Sequence, residues 1–133
     1  MNVRALLNEG PGMFWRYQPG DRLVEGPTVA LSSSAIAAAV AGLSAEQRDH
    51  AIADMVWPIG NKMEPDAIGN SWPPEVRSLS VGDVLIIGEA AYAVEPAGWS
   101  APLDRFALDV SLSEFARQNP GLAEHRLNRM AGR

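Results

Sequence analysis

The chain has 133 residues, no cysteine and a formal net charge of −5 at pH 7. Its length fits one domain with a substantial core, because 47% of the residues are apolar. The lack of cysteine excludes a disulfide, a thiol nucleophile and a thiolate metal site. With neither a signal peptide nor a long apolar run in the sequence, we expect a cytoplasmic protein that does not enter the membrane.

The charge is unevenly distributed along the chain. Residues 1–103 carry six basic and twelve acidic side chains, whereas residues 104–133 carry five arginines and four carboxylates. An acidic body disfavours nucleic-acid binding, because such binding requires basic side chains that neutralise phosphates. The pattern indicates a soluble surface or, alternatively, an acidic nucleic-acid mimic or regulator.

The amino-terminal segment leaves one element open and predicts another. The apolar residues between Met1 and Asn8 fit neither the strand period nor the helix period. Met13 to Gln18 alternates, which predicts a strand that ends at Pro19. Its aromatic residues Trp15 and Tyr17 are either packed in the core or form part of a binding wall.

One further strand and two helices are predicted before residue 60. Thr28 to Leu31 is a possible strand after Gly26-Pro27, and the serines that follow can cap a helix from Ala35 to Ala41. Ser44 and Gln47 have capping-box spacing, so a second, amphipathic helix is expected from Ala45 to Val56 or Trp57, ended by Pro58. This helix is the expected cover for a sheet.

The segment from Pro58 to Pro74 is rich in glycine, asparagine and proline and is predicted to be a long loop. Such a loop is either a binding surface or lid, or is fixed to the core by its apolar residues, among them Trp72.

The clearest local pattern predicts a β-hairpin in the second half of the chain. The apolar runs Val84 to Ile87 and Ala90 to Val94 are separated only by Gly88-Glu89, which suits a two-residue turn. The first run is apolar on both faces, so we expect both of its faces to be covered. The hairpin is therefore predicted to lie inside the core.

The carboxy-terminal part is predicted to be a helical extension, residues 111–133, attached to a compact domain of residues 1–110. Ser111 and Glu114 have capping-box spacing, and Asn119-Pro120 can start a second short helix. These helices could dock on the domain, form a homodimer or fray.

No catalytic or metal site is predicted. His50 and Asp54 lie four residues apart on the second helix, but such pairs are common on exposed helix faces. The phosphate-binding glycine motifs are missing as well, so we expect no cofactor.

Binding, by contrast, has candidate residues. Arg77 could grip a carboxylate or phosphate, or could anchor a turn. Trp99 could bind a ligand or cap the core, and together with Arg77 and Tyr92 it could line a pocket for a small ligand or substrate. The full candidate set is Trp15, Tyr17, Trp72, Arg77, Tyr92 and Trp99.

The run RSLSVGDV at residues 77–84, followed by a short hairpin and by Gly98-Trp99, carries a resemblance. It resembles a pattern found in small uncharacterised proteins of actinobacteria and their phages, and is distantly similar to YodL-like domains of mobile elements. The resemblance covers about residues 13–100. It implies a mobile-element accessory protein, located in the host cytoplasm if a phage encodes it. It implies no catalytic residues.

The sequence therefore predicts an α+β fold: a small antiparallel sheet with a central hairpin, covered by one or two helices, and short carboxy-terminal helices. The leading hypothesis is a noncatalytic phage or mobile-element accessory protein that binds a host or self protein through exposed aromatic residues and the Pro58 to Pro74 loop. A pocket near Arg77, Tyr92 and Trp99 is the first alternative, and the acidic mimic is the second.

Overall fold

A computed structural model describes residues 1–111 and confirms the α+β class. These residues form a five-stranded sheet with the strand order β4-β3-β1-β2-β5 and two α-helices. All neighbouring strands are antiparallel except β2 and β5, so the sheet is mixed. The elements are β1 (Asn2–Asn8), β2 (Arg22–Ala30), α1 (Ser33–Val40), α2 (Ala45–Gly60), β3 (Val84–Ile87), β4 (Ala90–Ala93) and β5 (Asp109–Ser111). The predicted carboxy-terminal helices lie outside the described residues.

The segment that the sequence left open is the middle strand of the sheet, β1. Its residues alternate between two buried clusters: Val3 and Leu7 pack with the helices, whereas Leu6 packs on the opposite face. Leu6 is buried on the face that otherwise carries the polar residues Asn2 and Arg4, so the two-residue period of a half-exposed strand is interrupted.

The predicted hairpin is confirmed. Val84 pairs with Ala93 and Ile87 pairs with Ala90, and Gly88 in the turn has a φ of +59°. All four residues of β3 are buried, and β3 lies against β1 while β4 is the outer strand. The expected cover on both faces of β3 is therefore present. The hairpin, however, lies at one edge of a mixed sheet and not at the centre of an antiparallel one, because β1 rather than β3 is the middle strand.

Strand β2 begins earlier than predicted and continues through Gly26-Pro27. Arg4 lies opposite Thr28, whereas Leu6 lies opposite Glu25. Gly26 and Pro27 therefore face the single residue Ala5 and form a β-bulge. A Cβ on Gly26 would lie 2.9 Å from the carbonyl oxygen of Ala5, which explains glycine at this close approach.

The predicted strand from Met13 to Gln18 is wrong, because residues 10–16 form a series of turns. The amide of Met13 donates to Gly10 O at 3.1 Å, and the amide of Arg16 donates to Gly12 O at 3.0 Å. The side chain of Asp21 accepts hydrogen bonds from the amides of Gly12 and Gln18. Backbone donors that a strand would use for pairing are thus taken by local partners.

Both helices were predicted, and α2 packs on the sheet. Ser44 and Gln47 form the expected capping box, and the buried side of α2 includes Ile52 and Val56. The helix does not end at Pro58 but runs to Gly60. Proline costs little there, since the Asp54 carbonyl that loses its hydrogen bond belongs to an exposed residue in the last turns. Neither of the helices in residues 1–111 has the length and hydrophobicity needed to cross a bilayer.

The remainder of the Pro58 to Pro74 segment is attached to the domain at two buried points. Asp66 is 7% exposed and accepts hydrogen bonds from the amides of Ala30 and Asn70. Trp72 is 4% exposed and donates its indole N–H to the carbonyl of Arg77 at 3.0 Å. Met63, before Asp66, and Ile68, between Asp66 and Trp72, have exposed side chains.

Candidate protein-binding surface

Three consecutive large apolar side chains are exposed on the turns between β1 and β2, which we call the aromatic loop (residues 10–16). The exposed fractions are 39% for Met13, 57% for Phe14 and 76% for Trp15. Single exposed apolar residues are common on protein surfaces, but a contiguous group is a feature of interaction sites.

The backbone of Phe14 is held in a left-handed conformation. Its φ is +64°, which is unusual for an aromatic residue and costs on the order of 1–3 kcal/mol, so it persists only where the surroundings impose it. The amide of Phe14 donates to the carbonyl of Val81 at 2.9 Å, and the guanidinium of Arg77 lies 5.0 Å from the ring centre. The hydrogen bond holds the backbone of Phe14, and the guanidinium holds one face of its ring.

A buried polar network supports the aromatic loop from below. Asn8, Asp21 and Asp83 are 0%, 3% and 0% exposed. The amide side chain of Asn8 donates to Asp21 Oδ2 at 2.9 Å and its oxygen accepts from the amide of Gly10 at 2.7 Å. Asp21 Oδ2 also accepts from the amide of Gly12 at 3.1 Å. The end of β1 and the start of the loop are therefore connected through side chains.

Arg77 completes this network and anchors a turn, one of the two roles considered for it. Its Nη1 and Nη2 donate to Asp83 Oδ2 and Oδ1 at 2.8 and 2.7 Å, and Nη2 also donates to the carbonyl of Asn8 at 3.0 Å. Asp83 in turn accepts from the amides of Asn8 and Ser80. Since the guanidinium already holds a carboxylate, its role is to position Phe14 and the hairpin entry.

A slot adjoins the aromatic loop, between α2 and the segment after β4. It is a cavity of about 280 Å³ whose walls include Trp57 and Trp99. Val81, which accepts the hydrogen bond from Phe14, also lines this slot. A contact of 3.6 Å between Arg16 Nε and the carboxylate of Glu95 connects the loop to the slot's rim. The loop and the slot thus form one continuous surface, which we call the aromatic face.

The other predicted binding residues lie in different surroundings. Tyr92 is buried, and its hydroxyl donates to Asp49 at 2.6 Å while its ring meets the edge of His50. Tyr17 is half-buried and packs against the cluster on the helix-free face of the sheet. Arg77, Tyr92 and Trp99 therefore do not converge on one cavity, and only Trp99 lines the slot.

His50 is likewise held by structural contacts. Its Nε2 lies 3.0 Å from the carbonyl oxygen of Ser100 and 3.9 Å from Glu46. Within residues 1–111, no group of three or more histidine, aspartate or glutamate side chains is placed to hold a metal ion.

Burial raises the pKa of Tyr92 well above its ordinary value, with the hydrogen bond to Asp49 adding to the effect. Below about pH 10 the phenol is neutral in both the folded and the unfolded chain. Above that pH the unfolded chain ionises first, so we expect the stability to fall. Urea unfolding of the wild type between pH 8 and about 11 should show this loss, and Tyr92→Phe should reduce its slope.

The chain has only two tyrosines, so Tyr17→Phe and Tyr92→Phe each leave a single phenol. The pKa of Tyr17 is also raised, chiefly by burial. Ultraviolet titration of each variant then reports one phenol, and a Tyr92 that ionises near pH 10 in the folded protein would contradict the assignment.

Comparison of the chain with protein-family models, with curated proteins and with solved structures gave no match. The aromatic face is thus defined by its geometry alone. Sequence reasoning missed Phe14, Trp57 and Asp54 as members of it. One signal was available for the loop, since Gly10-Pro11-Gly12 directly precedes the aromatic run and is typical of turns.

Proposed function

We propose that this protein is a noncatalytic accessory protein that recognises another protein through its aromatic face. The observation that carries the proposal is the contiguous exposure of Met13, Phe14 and Trp15 on a loop that buried polar groups hold in place. Tryptophan, phenylalanine and methionine are enriched in protein interfaces relative to other surfaces. An exposed tryptophan on a fixed backbone suits the central anchor of such an interface.

Rigidity of the loop supports binding as its purpose. Ordering a flexible loop on association costs free energy, and a loop already fixed in its bound shape avoids this cost. Phe14 retains a strained φ of +64° because Val81 and the network around Asp21 and Asp83 impose it. Strain that a structure maintains in this way tends to occur at functional positions.

The partner class follows from the resemblance in residues 77–84. A mobile-element accessory protein would bind a protein of the host cell or a second copy of itself. The exposed Ile68 offers a second, separate contact. It lies two residues after Asp66, whose carboxylate accepts the amide of Ala30 at one end of the strands, whereas the aromatic loop follows Asn8 at the other end, about 20 Å away along β1.

We expect Trp15→Ala to abolish capture of the partner while leaving stability unchanged within about 0.5 kcal/mol, because the side chain is 76% exposed. The full-length protein would be used as bait in lysate of the host. A partner retained by the wild type would then be purified, and its affinity for the wild type and for the variant measured by calorimetry. An anchor tryptophan should weaken binding about 30-fold or more when truncated.

Phe106→Ala is the matched control, since Phe106 is a 91% exposed aromatic residue outside the aromatic face. It should leave the affinity unchanged. Equal affinities of wild type and Trp15→Ala for the purified partner would contradict the proposal. Sedimentation of the wild type alone over a range of concentrations identifies the case in which the partner is a second copy.

A further inference from the structure

The slot beside the aromatic loop has walls suited to a flat or elongated apolar group. The rings of Trp57 and Trp99 meet edge to face, with centroids 6.3 Å apart and planes at 82°. Trp57 is 38% exposed, so its ring is accessible to a ligand. The other apolar lining residues are Val81, Val94, Pro96 and Gly98.

The polar lining of the slot is acidic. Asp54 and Glu95 both line the cavity. Asp54 Oδ1 accepts the indole N–H of Trp99 at 2.8 Å, and within residues 1–111 this is the one hydrogen bond of that carboxylate. Glu95 meets Arg16 at 3.6 Å, a long contact between partly exposed groups. The slot therefore carries negative charge that its own residues neutralise only in part.

We infer that this slot binds the side chain of an arginine presented by the partner protein, an inference that rests on the proposed function and specifies the chemistry of the partner. A guanidinium is planar and stacks on the face of an indole, and its N–H groups can donate hydrogen bonds to a carboxylate at the same time. The aliphatic stem of arginine matches the apolar walls formed by Val94 and Pro96. Arg16 lies 3.6 Å from Glu95, so a guanidinium of this chain already contacts the rim of the slot.

Other classes of ligand fit the slot less well. An anion would meet Asp54 and Glu95 and be repelled. A neutral apolar side chain would gain the tryptophan contacts but would cover these carboxylates without compensating their charge. A lysine ammonium supplies the charge but is compact and strongly hydrated, so it matches flat indole walls poorly.

The test uses the full-length protein and N-acetyl-arginine amide as probe, with the neutral isostere N-acetyl-citrulline amide and N-acetyl-lysine amide as comparisons. The four indole N–H signals in ¹H–¹⁵N NMR spectra report separately on Trp15, Trp57, Trp72 and Trp99. We expect the arginine probe to shift the Trp57 and Trp99 signals saturably, with a Kd on the order of 1 mM for so small a ligand. The citrulline probe should bind at least about fivefold more weakly than the arginine probe.

Asp54→Asn removes the charge yet keeps an oxygen that can accept the Trp99 N–H, so it should weaken the arginine probe about fivefold. Glu89→Gln, which removes a carboxylate from the exposed hairpin turn, should have no effect. Equal binding of arginine and citrulline, binding that moves Trp15 or Trp72 instead, or no saturable shift at all would overturn the inference. Binding of lysine as tight as that of arginine would overturn the choice of a guanidinium.

The same variants separate this inference from the proposed function. With the purified partner, Asp54→Asn should weaken binding about fivefold, whereas Trp15→Ala should weaken it much more. A loss confined to Trp15→Ala would refute the arginine slot and leave the proposed function standing. A loss confined to Asp54→Asn would support the slot and contradict the role of Trp15 as the anchor. A wild-type dimer that Asp54→Asn dissociates would assign the slot to a second copy instead.

Discussion

Replacing Asp83 with alanine is expected to lower the free energy of unfolding by about 3–5 kcal/mol, because the variant leaves a guanidinium and two amides without their shared acceptor. Asp83 is fully buried and accepts both nitrogens of the Arg77 fork at 2.7 and 2.8 Å. It also accepts the amides of Asn8 and Ser80, each at 2.8 Å. The Arg77 side chain is 28% exposed, so water relieves part of the loss and the lower half of the range is expected.

Urea denaturation, followed by circular dichroism, measures this change directly. Glu9→Ala is the matched control, because Glu9 accepts Arg22 at 2.9 Å in an ion pair whose side chains are 45% and 59% exposed. That variant should cost less than about 1 kcal/mol. Asp83→Asn keeps one acceptor oxygen, so its cost in unfolding free energy should lie between those of Asp83→Ala and Glu9→Ala. This variant keeps the effect measurable if Asp83→Ala does not fold. A cost for Asp83→Ala as small as that of Glu9→Ala would show that the network does not support the fold.

The sequence predicted the elements whose signals are local. The hairpin around Gly88 and the capping box at Ser44 each depend on residues a few positions apart, and both are present. The period of β1 is obscured by Leu6, which is buried on the face that otherwise carries Asn2 and Arg4, and this burial is a property of the assembled sheet. Met13 to Gln18 alternates like a strand. However, the amides of Gly12, just before it, and of Gln18, its last residue, donate to the side chain of Asp21, and periodicity does not reveal these hydrogen bonds.

The aromatic face was predictable in part. Trp15 and Tyr92 are both predicted binding residues, but Trp15 is exposed whereas Tyr92 is buried in the core. The polar network could not be predicted from the sequence because it joins distant positions. Asn8 and Asp83, for example, are 75 residues apart. Polar residues in such a network look like ordinary surface or turn residues until the fold brings them together.

A second large effect is expected at Gly82, where the hairpin entry touches the aromatic loop. Gly82 has a φ of +95°, and a Cβ on it would lie 2.3 Å from the carbonyl oxygen of Gly12. Gly82→Ala therefore combines a left-handed alanine with a clash against backbone. Left-handed alanine costs about 1 kcal/mol and a buried clash about 1–3 more, so we expect a total of about 2–4 kcal/mol in urea unfolding.

Gly20→Ala separates the two contributions, because Gly20 has almost the same φ, +91°, but nothing within 4 Å of its added Cβ. It should cost only the conformational part, about 1 kcal/mol. The clash at Gly82 also pushes on Gly12, whose own amide is bonded to Asp21, so the indole N–H signal of Trp15 should move in Gly82→Ala and stay in place in Gly20→Ala. Equal costs in the two variants would mean that the loop yields freely, and a loop that yields freely could not present Phe14 and Trp15 in a fixed shape to a partner.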